Sequence, residues 1–402
     1  MPHALEGKNV VLGVTGSIAC YKALDLASKL TQGGALVDVI LSRAAAQFVT
    51  PLAFRSITHR PVTTDMFDPN SELSIEHVAL AERAELVVVA PATANFIARM
   101  ATGLADDPLT ATVLATRAPV LVAPAMDGHM YHNPATQANL SVLKERGVTV
   151  VGPAEGRLAS GLVGMGRLVE TPELLGHIAA LLGQKGDLAG RTIVVSAGGT
   201  QEPIDPVRVI TNRSSGKMGY AIAEAARNRG AHVALVTAPT SLPRPVALKV
   251  LSVGTALEMR ELVLKEVKGA DVLIMASAVA DYRPLTAAPN KLKKGGNIQT
   301  VELTENPDIV AEAQGSFIKV GFAAESEHLI DNARGKLKPK SLDLIVANDI
   351  TDPDSGFGAD TNKVTLIRRD GSAEELPLMS KEDVAHRVLD EVVTLLQESR
   401  KP

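Results

Sequence analysis

One histidine, a set of glycine and proline turns and a scatter of lysines are the groups in this 402-residue chain best suited to chemistry. His77, in Ile75-Glu-His77, changes charge near neutral pH and can act as a base or as the partner of a carboxylate. Gly13-Val-Thr-Gly16-Ser17-Ile-Ala stands where an apolar run gives way to a helical pattern, so its unpaired amides and the helix end favour a phosphate. Its spacing is not the dinucleotide Gly-x-Gly-x-x-Gly, and a tight turn in which Ser17 simply caps the helix is the plain alternative. Ala90-Pro-Ala-Thr-Ala-Asn95 and Pro124-Ala-Met-Asp-Gly-His-Met-Tyr131 each follow a run of buried-strand type. That puts both turns at the carboxyl edge of a parallel sheet, the edge where open α/β folds bind ligands. His129 and His132 have no metal-ligand pattern and read as loop residues.

A second constellation lies downstream. Ser196-Ala-Gly-Gly-Thr200 ends a strand in a glycine turn, weak evidence for a nucleotide by itself. The stretch that follows, from Asp205-Pro-Val-Arg208 to Asn212 and Ser214-Ser-Gly-Lys217-Met-Gly219, joins a fixed turn, a guanidinium and a glycine-lysine helix entry, all suited to anions. A capped helix with a solvated lysine is its bland reading. Ala278-Val-Ala-Asp281 closes another strand with a carboxylate, and Lys291, Lys336 and Lys340 offer charges for a triphosphate, although surface lysines are usually just solvated.

The elements that must position these residues alternate between strand and helix patterns twice. In the first half, strands fit 10–14, 36–41, 86–90, 120–123 and 148–151, with helices at 18–30, 95–104, 134–146 and 172–182. A parallel three-layer sandwich follows. Turn formers over 183–190 interrupt the pattern, which predicts domains at 1–185 and 190–402. The second half echoes the first, with strands at 191–196, 232–237, 270–276, 318–322, 344–347 and 364–367 and helices at 219–228, 256–267 and 381–396. Residues 283–299, rich in Pro, Ala, Lys and Gly, read as a mobile loop whose lysines could close over phosphates.

Composition narrows the function classes. A length of 402 residues with 46% hydrophobic content suffices for two ordinary domains, and a net charge of −4 gives no reason to expect nucleic acid or a membrane surface as partner. One cysteine, Cys20, excludes an internal disulfide framework and a cysteine-rich zinc site. No apolar run approaches a membrane span and no basic-then-apolar leader is seen, so the expected location is the cytoplasm.

The residues around His77, Asn95 and Pro124 resemble the flavin-dependent cysteine decarboxylases, and those from Asp205 to Asp281 resemble the phosphopantothenate–cysteine ligases. Together they are similar to the bacterial bifunctional family of coenzyme A biosynthesis. The resemblance implies an α/β fold class: two Rossmann-like three-layer α/β/α domains, a flavodoxin-like flavin decarboxylase followed by a nucleotide-binding ligase. It implies FMN held by Gly16, Ser17, Ile18, Ser42, Arg43, Ala44, Thr93, Ala94, Asn95, Phe96 and Ala125, with His77 catalytic and Met126, Asp127 and Arg167 against the substrate. A hydride moved from the cysteine Cβ to the flavin leaves a thioaldehyde, an electron sink that lets carbon dioxide depart.

The family's substrate flap is recognisable in Gly156-Arg-Leu-Ala-Ser160-Gly161-Leu-Val-Gly164-Met-Gly166-Arg167, but Ser160 stands where the family pattern has the cysteine that returns a proton. Serine is a far weaker acid. Asp127 replaces an asparagine expected to bind the substrate carboxylate, and an ionised aspartate repels it unless protonated or paired. For the ligase, the resemblance implies CTP as co-substrate, with Mg2+ at ligands left unknown. It places CTP against Met275, Ala276, Ser277, Asp281, Lys291, the turn Asn306, Pro307, Asp308, Ile309 and Val310, and Phe322, Lys336 and Lys340. Arg208, Asn212, Lys217 and Ala278 would hold the phosphopantothenate or its acyl-cytidylate. Partners are then small molecules, with flavin-domain trimers and ligase-domain dimers as the expected homo-oligomer. Two other readings are a peptidyl-cysteine decarboxylase and a flavin-binding regulatory protein without turnover.

Overall fold

The computed structural model describes residues 2–66, 76–293, 300–325, 329–349, 356 and 358–398. Ile75 and residues 294–299 of the lysine-rich segment lie outside them. The chain forms two compact units, Met1–Gly183 and Gln184–Pro402.

In the first unit, strands β1 (Asn9–Val14), β2 (Leu36–Leu41), β3 (Val62–Thr63), β4 (Leu86–Ala92), β5 (Val120–Pro124) and β6 (Thr149–Val150) form one sheet in the order β3-β2-β1-β4-β5-β6. Every pairing in it is parallel. Helices α1 (Pro2–Leu5), α2 (Cys20–Gln32), α3 (Pro51–Thr58), α4 (Glu76–Arg83), α5 (Ala94–Thr102), α6 (Pro108–Ala115), α7 (Gly128–His132), α8 (Pro134–Glu145) and α9 (Thr171–Gly183) complete the unit. Both faces of the sheet are covered, which is why β1 and β4 read as nearly unbroken apolar runs. Val10, Leu12, Leu86 and Val88 pack with α2 on one face, and Val11, Val87 and Val89 pack with α5 and α8 on the other. In α2 the residues facing the sheet are Cys20, Ala23, Leu26, Ala27 and Leu30, a helical stripe. Full burial of each such Leu or Val stabilises by roughly 1.5–3 kcal/mol.

The boundaries expected from the pattern recur within a few residues, but several helices gave no periodic signal. In α6 the threonines Thr110 and Thr112 are buried while Leu114 is exposed, so no alternation of apolar and polar residues marks its period. Its start was nonetheless written locally, in a capping box between Asp107 and Thr110 and a proline in the first turn. His129 and His132 lie in helix α7 rather than in a loop.

After β6 the chain makes an antiparallel hairpin of β7 (Ala154–Arg157) and β8 (Val163–Arg167), which is the glycine-rich flap of the sequence.

The second unit is built on an eight-stranded sheet ordered β13-β12-β9-β14-β17-β18-β20-β21. Its members are β9 (Thr192–Ala197), β12 (His232–Thr237), β13 (Lys249–Ser252), β14 (Val272–Met275), β17 (Ile318–Glu325), β18 (Leu344–Asp349), β20 (Val364–Arg368) and β21 (Ala373–Glu375). Short pairs flank it: β10 (Gln201–Pro203) with β11 (Val209–Thr211), β15 (Tyr282–Pro284) with β16 (Leu303–Glu305), and β19 (Thr361–Asn362) with β22 (Met379–Ser380). Helices α10 (Lys217–Asn228) and α14 (Lys381–Glu398) pack on one face, with α11 (Ala256–Glu266), α12 (Ile309–Glu312) and α13 (Leu329–Leu337) on the other.

Two features depart from expectation. The echo of the first half stops at β18, whose pairing with β20 is antiparallel, as is that of β20 with β21. No helix is described between β18 and β20, and without a crossover helix a returning strand runs antiparallel. The expected loop at 283–299 begins instead as strand β15, held by β16.

Candidate active sites

In the first unit the loops after β1, β2, β4 and β5 gather at the carboxyl edge of adjacent parallel strands. Thr15 links two of them: its hydroxyl donates to the Pro91 carbonyl at 2.8 Å and accepts from the Thr93 amide at 2.9 Å. Thr93 then caps α5 by accepting from the Phe96 amide at 3.3 Å. A Cβ on Gly16 would collide with Ala44, so glycine is what lets the loop after β1 touch the loop after β2. Ser42 accepts from the Ala45 amide at 3.2 Å and turns the chain there. The amides of Gly16, Ile18, Arg43 and Ala44 have no partner among the described residues. Open amides against small side chains at a sheet's carboxyl edge make a cradle fit for a polar, phosphate-bearing group.

Ala125 is buried and Met126 partly so, directly after β5. His77 is the second residue of α4, which leads from β3 back to β4. A crossover helix starts on the side where the preceding strand ends, so the half-buried His77 lies toward the same carboxyl edge. Glu76 anchors that helix start by accepting from the Thr63 hydroxyl at 2.8 Å.

The flap closes on the α7 turn through named contacts. The Met126 amide donates to the Gly166 carbonyl at 3.0 Å. Gly166 has φ 146°, and a Cβ there would strike the Met126 carbonyl. Ser160, at the hairpin tip, donates its hydroxyl to Asp127 Oδ2 at 2.7 Å, while Asp127 Oδ1 accepts from the His129 amide at 3.0 Å and caps α7. The Ser160 hydroxyl and then the His129 amide hold the Asp127 carboxyl below its usual range. Asp127 is thus hydrogen-bonded by two neutral donors, which favour its anion without neutralising it. The same bond turns the Ser160 proton toward a carboxylate, an arrangement that makes the hydroxyl no stronger an acid. Arg167 lies against Gly156 and pairs with Glu170 at 3.0 Å.

In the second unit a cavity of about 910 Å³ opens at the carboxyl ends of β14, β17 and β18. It is lined by Asn212, Lys217, Met275, Ala276, Ser277, Ala278, Asp281, Phe322, Lys336 and Lys340, and by the whole 306–310 turn. The fold thus brings these residues together from five segments of the chain. The glycine turn after β9 is stitched to β14: Ala278 donates to the Gly198 carbonyl at 2.8 Å, and Thr200 accepts from the Ala280 amide at 3.0 Å. Asn306 donates to the Ala280 carbonyl at 2.8 Å and fixes the 306–310 turn, whose Asp308 pairs with Lys340 at 2.9 Å. Burial pushes the Asp308 carboxyl up, but Lys340 and the Ala311 amide outweigh it, so the carboxylate is favoured.

Two expected residues are not among those lining the cavity, Arg208 and Lys291. Arg208 is bonded to Asp205 at 3.1 Å and to the Leu292 carbonyl at 3.2 Å. Conversely Asn362 and Lys381 do line it, and sequence reasoning missed both. Neither belongs to a glycine turn, and only the packing of β19 and α14 brings them to the edge. Among the described residues no group of three or more His, Cys, Asp or Glu could hold a metal ion, and no helix is long and apolar enough to cross a membrane.

Residues 1–183 match the family model described as Flavoprotein, and residues 188–396 match that described as DNA/pantothenate metabolism flavoprotein C-terminal domain. Curated relatives align over nearly the whole chain. A coenzyme A biosynthesis bifunctional protein CoaBC from Bacillus subtilis is 46% identical over 401 residues, covering 98% of this chain and 99% of its own. Its namesake from Vibrio cholerae is 45% identical, covering 96% and 98%, and that from Escherichia coli K12 is 44% identical, covering 99% and 100%.

Proposed function

Because the chain belongs to the family of bifunctional coenzyme A biosynthesis proteins, we propose that its first unit carries the decarboxylase and its second the ligase. The protein is a flavoprotein enzyme of coenzyme A biosynthesis that joins cysteine to 4'-phosphopantothenate and then decarboxylates the product to 4'-phosphopantetheine. The observation that carries the ligase assignment is the cavity in which Asn212, Asp281, Lys336, Lys340 and the 306–310 turn meet.

In the ligase a carboxylate must first become an electrophile, since oxide is a hopeless leaving group. In this reading phosphopantothenate takes CMP from CTP, and Lys336, Lys340 and, from its loop, Lys291 neutralise the departing pyrophosphate with Mg2+. Met275, Ala276, Ser277, Phe322 and the 306–310 turn hold the nucleotide, while Asn212, Ala278 and Arg208 hold the acyl-cytidylate. Asp281, which precedes β15 rather than closing β14, lines the same cavity. Cysteine's amine then displaces CMP to form the amide.

In the decarboxylase, Gly16, Ser17, Ile18, Ser42, Arg43, Ala44, Thr93, Ala94, Asn95, Phe96 and Ala125 would hold FMN, with open amides at its phosphate. When bound, FMN supplies a two-electron acceptor and donor for the cysteine-derived carbon. His77 positions and deprotonates the substrate thiol-bearing end, Arg167 and Met126 border the substrate, and the flap excludes water. Ser160 is retained as the candidate proton relay of the last half-reaction, with Asp127 orienting its hydroxyl. The chain works as a cytoplasmic homo-oligomer in this reading; exposed Tyr21 and Leu52 in the first unit, 63% and 70% accessible, support the oligomer.

One assay tests the whole. Purified protein given phosphopantothenate, cysteine, CTP and Mg2+ should yield phosphopantetheine, CMP and pyrophosphate by mass spectrometry. Turnover with ATP in place of CTP at an equal rate would overturn the nucleotide assignment, and absence of the amide product would overturn the ligase. A peptidyl-cysteine decarboxylase would have no use for the second unit.

A further inference from the structure

The cavity of the second unit holds one polar atom that nothing satisfies. Asn362 is 3% exposed and lines the cavity, and its Oδ1 has no hydrogen-bond partner among the described residues. Its amide nitrogen faces the Met218 sulfur at 3.7 Å, and turning the carboxamide over would set oxygen against sulfur. A buried acceptor left unpaired is costly, so it calls for an N–H or O–H from a ligand.

The surroundings state which ligand. Lys217, next to Met218, opens α10 and is bonded to the Gly358 carbonyl at 2.8 Å and to Asp360, a carboxylate 90% exposed and therefore exchangeable with a ligand's anion. A cation and an orphaned acceptor that line one cavity fit the carboxylate and the amine of one small molecule. Lys381 is no rival for that anion, being donated to the carbonyls of Gly356, Ala359 and Thr361. The lysines assigned to the triphosphate stand elsewhere. Lys336 belongs to α13, packed on the face of β18 that carries Ile345 and Ala347, whereas α10 and α14 cover the face carrying Leu344 and Val346.

Resting on the ligase reading above, we infer that Asn362 and Lys217 form the amino-acid subsite, with Asn362 Oδ1 accepting an N–H of cysteine's amine and Lys217 meeting its carboxylate. Held by one N–H, the neutral amine directs its lone pair at the acyl carbon. The C–N bond forms, the bond from acyl carbon to CMP oxygen breaks with its electron pair leaving on CMP, and the surplus nitrogen proton passes to solvent. Asn362 takes no proton and acts as a binding residue.

The test varies each substrate in turn and also follows pyrophosphate released from CTP and phosphopantothenate without cysteine. Asn362→Leu should raise the KM for cysteine roughly tenfold, leave those for CTP and phosphopantothenate within about twofold, and leave cysteine-free pyrophosphate release unchanged. Should the leucine variant fail to fold, Asn362→Ser, which loses reach without apolar bulk, reads the same shift. An unchanged cysteine KM in the leucine or serine variant, or a rise confined to CTP, overturns the subsite. Failure of the wild-type protein itself to release pyrophosphate would instead overturn the ligase reading, so the two failures are told apart.

Discussion

At the scale of single residues, His77 and the Ser160–Asp127 pair divide the decarboxylase chemistry. His77→Asn should keep bound FMN and cysteine-free pyrophosphate release while losing decarboxylation by about 100-fold or more, the usual weight of a positioned acid or base. Carbon dioxide release at the wild-type rate would remove His77 from the mechanism. Asp127 is ionised because Ser160 and the His129 amide favour its anion. A carboxyl depressed in the folded state makes its contribution above the ordinary carboxylate range and loses it as pH falls through the folded value. The flap tie should therefore hold at neutral pH and loosen on acidification, seen as faster hydrogen exchange at residues 158–162. Asp127→Asn should flatten that pH dependence, and equal acid sensitivity in the variant would show that another group governs the flap.

Elements turn these residues into sites. The first unit's ligand loops are aligned because parallel strands of near-equal register release them at one edge, and Thr15 bonds two of them together. In the second unit the 306–310 turn is held from beneath by β17. Lys319, 6% exposed, donates to the Val310 carbonyl at 2.9 Å and the Lys340 carbonyl at 3.3 Å. Burial lowers its proton affinity, and the Asp343 and Asp308 carboxylates offset part of that cost while the two carbonyls take up its N–H groups. Lys319→Met preserves the bulk but frees both carbonyls. It should raise the KM for CTP roughly three- to tenfold with the KM for phosphopantothenate unchanged, and an equal rise in both would mark a general loss of stability instead.

Across the whole molecule, each unit has its own sheet and its own two apolar layers, which predicts separable activities. Residues 1–183 expressed alone should be yellow and release FMN on denaturation, and a colourless fragment that ignores added FMN would refute the assignment of the flavin to this unit. Much of this was legible in the chain. Buried parallel strands are written as apolar runs, glycine and proline turns mark the strand ends, and a break at 183–190 separates two such series. Local chemistry of that kind is a property of adjacent residues, so the candidate loops, His77 and the cavity-lining Asn212, Lys217 and Asp281 could be named from it. What α6 would be was hidden because its exposed Leu114 is as apolar as its buried residues, and the antiparallel return at β20 because pairing direction depends on the connection rather than on the strand. The tie between Ser160 and Asp127, 33 positions apart, and the arrival of Asn362 beside Met218, 144 apart, were decided by tertiary structure alone. No local pattern encodes such meetings, since packing sets which distant side chains share a dry space and leaves one of them without a partner.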